Sequence, residues 1–226
     1  MKIGVLLAGS GVYDGSEIHE AVFTLLAIAK NEGEAVIFAP NKEQLHVINH
    51  IDGSEMKEKR NVMVEAARIA RGDIKDLATI SIAEFDALVI PGGFGAAKNL
   101  NQWAIKGPDG EIDEDVKKLI QEVVKAGKPL AGLCMGPTVI AQALEGSGVE
   151  AALTVGSTNE NSPYDIAGIN GGMESLGAKP ELKTKSEVCI DAANKIVTAP
   201  CYMMETNILD VRNNVQLAID ELFKLL

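Results

Sequence analysis

Of 226 residues, 46% are hydrophobic but only 4% aromatic, so one domain-sized core is built mainly from Val, Ile, Leu, Ala and Met, the small aliphatics that close helix-on-sheet packing needs. A net charge of −11 repels phosphate backbones, and with no basic stripe to offset it nucleic acid is not an expected partner. Apolar runs too short for a bilayer, no signal-peptide pattern after Met1, and three cysteines (Cys134, Cys189, Cys201) without zinc or C-x-x-C spacing point to a soluble, cytoplasmic chain with no membrane partner.

Lys2 to Ala8 reads as a buried strand and Gly9 to Gly15 as a glycine-rich turn. Ser16 is placed to cap the next helix, with Glu17 and Glu20 in its first turn, where acids complement the helix dipole. Ile18, Val22, Leu25, Leu26 and Ala29 fall on one apolar face of that helix. A strand over Ala35 to Ala39 completes a strand-helix-strand unit, the mark of a parallel sheet. Pro40 to Arg60 is polar and irregular, an expected insertion with room for a small hairpin. A helix is predicted over Asn61 to Arg71 and a buried strand over Asp86 to Ile90, ending in PGGFG.

A longer loop then carries Trp103, the only tryptophan, and a GPDG turn. A helix is expected from Asp113 to Lys125, a strand from Leu130 to Leu133, and a helix from Met135 to Leu144. The Gly-, Ser- and Asn-rich stretch from Gly156 to Gly177 reads as loop with one weak helix. Glu187 to Ile190 and Ile196 to Ala199 read as a hairpin, and Asn207 to Leu226 as the closing helix. No linker divides the chain, so residues 1–226 are expected to form one domain with the insertion at 40–60.

In an open parallel sheet, ligands bind beyond the carboxyl ends of the strands. Three strands end in unusual turns: GSGVYDG, PGGFG and CMGP. If those strands are neighbours, the turns share one edge. Gly132 to Gly136, GLCMG, is the nucleophile-elbow pattern with cysteine in the serine position. The thiol of Cys134 would then sit at a helix start, where the dipole favours the thiolate. The plain alternative is a buried core cysteine. Peptide N–H groups near Gly92, Gly93 and Met135 are candidates for an anion hole.

GSGVYDG does not have dinucleotide spacing, and FAPN at the end of the second strand offers no acid for a ribose. His19, His46 and His50 all lie upstream of the elbow, so a downstream Cys–His triad is missing. No metal site is expected, since His46 and His50 have no clear third ligand. Glu17, in the first helical turn beyond the first strand, is the candidate proton donor to Cys134; its ordinary role would be a helix-start acid.

The blocks GVYDGSEIHEA, FAPNKEQLHVINH, RNVMVEAARIARG, PGGFGAAKNL, the Cys134 elbow and NKIVTAP resemble the PfpI-like branch of the class I glutamine amidotransferase-like superfamily. Within it the chain is similar to the ElbB-like group, called isoprenoid biosynthesis glyoxalase or enhancing lycopene biosynthesis protein. The resemblance implies a flavodoxin-like three-layer α/β sandwich with a mainly parallel sheet, usually dimeric. It also implies a reactive cysteine at Cys134 with an interacting glutamate carried onto Glu17. The implied activity is that of a glyoxalase-type lyase. It would convert methylglyoxal or glyoxal, a small aldehyde or ketoaldehyde substrate, to a hydroxy acid with no added cofactor. Better-established members place a histidine near the cysteine, and this chain has none there. The alternative is a non-catalytic regulator that responds to oxidation of Cys134.

Overall fold

The computed structural model describes all 226 residues. Seven strands form the main sheet: β1 (Lys2–Leu6), β2 (Glu34–Ala39), β3 (Lys75–Asp76), β4 (Ala87–Ile90), β5 (Leu130–Leu133), β8 (Cys189–Asp191) and β9 (Ile196–Ala199). Their order is β3-β2-β1-β4-β5-β9-β8, parallel except for the edge strand β8. The predicted hairpin is therefore real, and it delivers β9 against β5 in register, with Leu133 opposite Ala199. Two further strands, β6 (Ala152–Gly156) and β7 (Lys179–Leu182), form a separate parallel pair around α6 (Ile166–Ser175).

The helices α1 (Ile18–Lys30) and α7 (Ile208–Lys224) pack together, as do α4 (Glu114–Lys125) and α5 (Gly136–Leu144), and the single turn α3 (Trp103–Lys106) carries the tryptophan. The sheet order reverses direction after β1, and right-handed crossovers place these two pairs on opposite faces, which makes the three layers. The central strands β1, β4 and β5 are almost wholly buried, as near-continuous apolar runs in a doubly covered parallel sheet must be. Helix α2 (Val62–Ala70) ends as expected: Asn61 accepts from the Val64 N–H, and Arg71 closes it in the left-handed region at φ +55°.

The start of α1 differs from expectation. Ser16 is not the cap; its hydroxyl accepts from the Ala8 N–H at 2.8 Å and ties the turn to β1. Glu17 caps the helix instead, accepting from the Glu20 N–H at 2.7 Å. The apolar face Ile18, Val22 and Leu26 is turned outward, and Glu20, Ala21, Thr24, Ala27 and Ile28 are buried. Small side chains on the inner face bring α1 close to its neighbours, and that face leads with a carboxylate.

The segment from Pro40 to Arg60 holds only isolated antiparallel bridges, Glu43 with Asn61 and Ile48 with Glu55. It is fastened to the first turn. Asp14 accepts from the Ile48 N–H at 2.7 Å, and the Tyr13 N–H donates to His50 at 3.2 Å.

Candidate functional site

Strands β1, β4 and β5 are adjacent, so their three terminal turns meet at one edge. The turns bond to each other directly: Glu17 N–H to Gly92 O at 2.9 Å, Phe94 N–H to Val12 O at 2.8 Å, and Gly95 N–H to Gly15 O at 2.8 Å. Cys134 lies between β5 and α5 with φ +55°, a conformation that costs an L side chain about 1–2 kcal/mol and persists only where the surroundings enforce it. A Cβ on Gly136 would lie 2.6 Å from Ile90 O, and one on Gly132 2.8 Å from Ile140 Cδ1, so both flanking glycines are required by close approach. The Cys134 N–H is held by Ala199 O at 2.9 Å, which braces the turn on β9.

The carboxyl group that meets the sulfur is Glu20, not Glu17. Glu20 is fully buried beside the Cys134 thiol, and each group shifts the protonation of the other. A Cβ built on Gly92 would sit 2.6 Å from Glu20 Oε2 and 2.9 Å from Cys134 Sγ, so both groups converge on one glycine. Glu20 Oε2 accepts from the Gly92 N–H at 3.1 Å and Oε1 from the Tyr202 N–H at 3.2 Å. Gly92 is therefore not free to serve an anion hole, because its one donor is used on Glu20. The Gly93 and Met135 N–H groups are near enough to the sulfur to favour its ionised form.

Glu17 is buried at the helix cap and lines the same cavity as Cys134. The pattern that marks Glu20 is legible in hindsight. It heads the buried face Ala21, Thr24, Ala27 and Ile28, one helical turn beyond Glu17.

Burial lifts the Glu20 carboxyl to about 8, and the charge of nearby Glu17 adds to the rise; the Tyr202 and Gly92 N–H groups oppose it. Burial likewise raises the Cys134 thiol, followed by the Glu20 charge, against the pull of the Gly93 and Met135 N–H groups. The expectation of a lowered thiol pKa is thus reversed: dehydration of the sulfur outweighs its peptide donors. The two groups are coupled, so that a charge on the Glu20 carboxyl holds the thiol in its neutral form.

A cavity of about 240 Å³ opens over Cys134, walled by Phe94, Trp103, Met135, Ile169 and Met203, with Tyr164 and Tyr202 at its rim. An outer pocket shares Val12, Glu17, Tyr164 and Tyr202 with it and adds His19. His19 is half-exposed; its Nδ1 lies 2.9 Å from the Tyr202 hydroxyl and 3.9 Å from Glu17 Oε1. None of the tyrosines was marked in the sequence, because loops 157–165 and 200–204 have no pattern that fixes where they fold. Cys189 and Cys201 are buried free thiols, and Cys201 adjoins the site beside Tyr202. No three His, Cys, Asp or Glu side chains are gathered as metal ligands, and His50 is engaged by Tyr13 and Ile48. No helix is long and apolar enough to cross a membrane.

The sequence is 40% identical, over 99% of this chain and 83% of the relative, to the human glutamine amidotransferase-like class 1 domain-containing protein 3, mitochondrial. It is 39% identical to the rat ES1 protein homolog, mitochondrial, over 99% of this chain and 84% of that protein. The crystal structure of an isoprenoid biosynthesis protein with amidotransferase-like domain from Ehrlichia chaffeensis superposes with a TM-score of 0.90 at 32% identity. That match covers 100% of this chain and 99% of the other. The model of the DJ-1/PfpI family matches residues 11–199. With the elbow, the three-turn edge and these matches agreeing, the chain belongs to the DJ-1/PfpI family, within the class I glutamine amidotransferase-like superfamily.

Proposed function

We propose that this protein is a cofactor-independent glyoxalase-type lyase that turns a small 2-oxoaldehyde into a 2-hydroxy acid at Cys134. The observation that carries the reading is the buried pair of Cys134 and Glu20, converging on Gly92 under an apolar cavity, with the Gly93 and Met135 N–H groups close by. Ionised Glu20 takes the thiol proton as sulfur adds to the aldehyde carbon, and the two peptide donors hold the resulting oxyanion. Glu20 then protonates that oxygen, giving a neutral hemithioacetal. The regenerated carboxylate removes the C1 proton and returns a proton at C2 through an enediol. This leaves a 2-hydroxy thioester on Cys134. Water hydrolyses the thioester and restores the thiol, so dicarbonyl plus water gives hydroxy acid. A carboxyl that titrates near 8 is suited to both halves of this shuttle.

Glu17, the residue first expected to move the proton, acts in this scheme through Glu20: it lines the cavity and its charge raises the Glu20 carboxyl. We further place the chain in the ElbB-like group, a reading supported by the name and the full-length likeness of the Ehrlichia protein. Three free cysteines fit a reducing compartment, which the cytoplasm provides.

The test is lactate release from methylglyoxal. Wild-type protein is expected to produce lactate and Cys134→Ser to lose at least 99% of the rate. Equal rates in the two proteins would sink the assignment of Cys134. Absence of turnover from wild type, with Cys134 converted to a sulfinate by mild peroxide, would move the function to the redox-regulatory reading.

We also propose that the protein is a homodimer through α1. Ile18, Val22 and Leu26, each 45% exposed, form an apolar stripe along the helix next to the site. Sedimentation at micromolar concentration should show a dimer, and Val22→Lys with Leu26→Lys should reduce it to 23.9 kDa. A wild-type chain found only at that mass would overturn the proposal.

A further inference from the structure

The cavity over Cys134 is larger and drier than a three-carbon dicarbonyl requires. Its volume of about 240 Å³ equals the space of about eight waters at roughly 30 Å³ each. Ten of its twelve lining residues are hydrophobic. The wall is fixed rather than loose. The Trp103 indole lies so close to α6 that a Cβ on Gly172 would be 3.0 Å from its ring. Few polar groups face inward, and most are already engaged. The Tyr202 hydroxyl is bonded to His19, and Glu17 Oε2 caps α1.

Tyr164 is the exception. Its ring is held edge-on to Phe94, with centroids 6.0 Å apart at 68°. Its backbone is pinned by Ser162 Oγ at 2.9 Å and by the Ile166 N–H at 3.0 Å. All hydrogen bonds of this residue run through its backbone, so the hydroxyl is unspent at the rim of the cavity. Burial, and then the charges of Cys134 and Glu20, push the phenol up to about 12, which keeps it a hydrogen-bond donor across the neutral range. A fixed donor beside a dry, rigid pocket is the arrangement that orients a ligand with one polar end and one apolar end.

Resting on the lyase reading, we propose that the site takes carbonyl compounds with an apolar group of about six to eight non-hydrogen atoms, on the volume argument. The apolar group packs against Trp103 and Ile169, and the Tyr164 hydroxyl donates to the carbonyl oxygen. Tyr164 is thereby the specificity-determining residue of the site.

Trp103 is the only tryptophan and lines the cavity, so its fluorescence reports occupancy directly. Titrating the protein with acetophenone, acetone and toluene, none of which the reaction consumes, separates binding from turnover. Acetophenone is expected to change the emission saturably and to bind at least tenfold more tightly than acetone. Tyr164→Phe should weaken acetophenone about three- to tenfold, the value of one neutral hydrogen bond, and leave toluene unchanged. Equal affinity for acetone and acetophenone would overturn the proposed ligand class. A Tyr164→Phe protein that keeps full affinity for acetophenone, or loses toluene to the same degree, would overturn the role of the hydroxyl. The lyase reading fails separately, on absence of hydroxy acid from any dicarbonyl, while these titrations still stand.

Discussion

Glu20→Gln should lower hydroxy-acid formation by about 10²–10⁴-fold, the range for loss of a positioned acid–base group. The glutamine keeps the shape of the glutamate, and its single carbonyl oxygen can accept from one of the Gly92 and Tyr202 N–H groups, which bond different oxygens of Glu20. What it cannot do is take and return a proton. Glu17→Gln is the internal control, since Glu17 adds to the Glu20 shift without bonding the sulfur. Its rate should fall less than tenfold, and the alkaline rise in activity should move below pH 8, because a negative neighbour has been removed. Stability offers a second readout with a definite sign. A carboxyl raised from 4.5 to about 8 binds its proton more tightly folded than unfolded. Its contribution is therefore full below pH 4.5 and is lost as pH rises through 8. The wild-type Tm should accordingly fall across that window relative to Glu20→Gln, whose profile lacks this component. Parallel Tm profiles, or an active Glu20→Gln, would remove Glu20 from the mechanism.

Gly92→Ala is expected to drive a methyl directly between the two reacting groups. The new Cβ would lie 2.3 Å from Cys134 Cβ and 2.6 Å from Glu20 Oε2, distances that real contacts do not reach. Something must shift, and what shifts is the contact between the thiol and the carboxyl. Forced overpacking of this kind costs about 1–3 kcal/mol. For a chain of this length that corresponds to a Tm lower by about 2–12 °C, together with loss of Cys134-dependent turnover. Gly171→Ala gives the contrast. Gly171 lies within α6 and nothing approaches its Cβ position within 4 Å, so the change should be neutral or stabilising by up to about 1 kcal/mol. Differential scanning calorimetry of the two variants checks the pair, and a Gly92→Ala protein with native Tm and native turnover would refute the wedge argument.

The sequence was most readable where hydrophobic pattern and turn chemistry agree. The helix bounded by Asn61 and Arg71, the helix capped by Asp113 and the strand before Cys134 all fall within a residue or so of their expected positions. The order of the three turns also pointed to one edge, since parallel neighbours leave no other arrangement. Less readable were the strands that depend on tertiary partners. Lys75–Asp76 is only two residues long, and Lys179–Leu182 contains a proline and is mostly exposed. Within the site, Cys134 was legible and its partner was not. Apolar residues at Ile18, Val22 and Leu26 pointed to an inward face, whereas the structure turns that face out and buries Glu20. A pattern of hydrophobicity cannot distinguish a face that meets the sheet from one left for another surface, and a buried acid is the rarer choice.

The bond from the Cys134 N–H to Ala199 O, and the one from the Tyr202 N–H to Glu20, join parts of the chain made far apart in time. At about 5–20 residues per second of synthesis, β9 leaves the ribosome some 3–13 s after the elbow. Throughout that delay β5 has no partner on one side, and the thiol lacks the enclosure that later raises its pKa. The nascent chain is thus at its most vulnerable to stray electrophiles until β9 docks beside β5, and that docking is the step that shelters the sulfur.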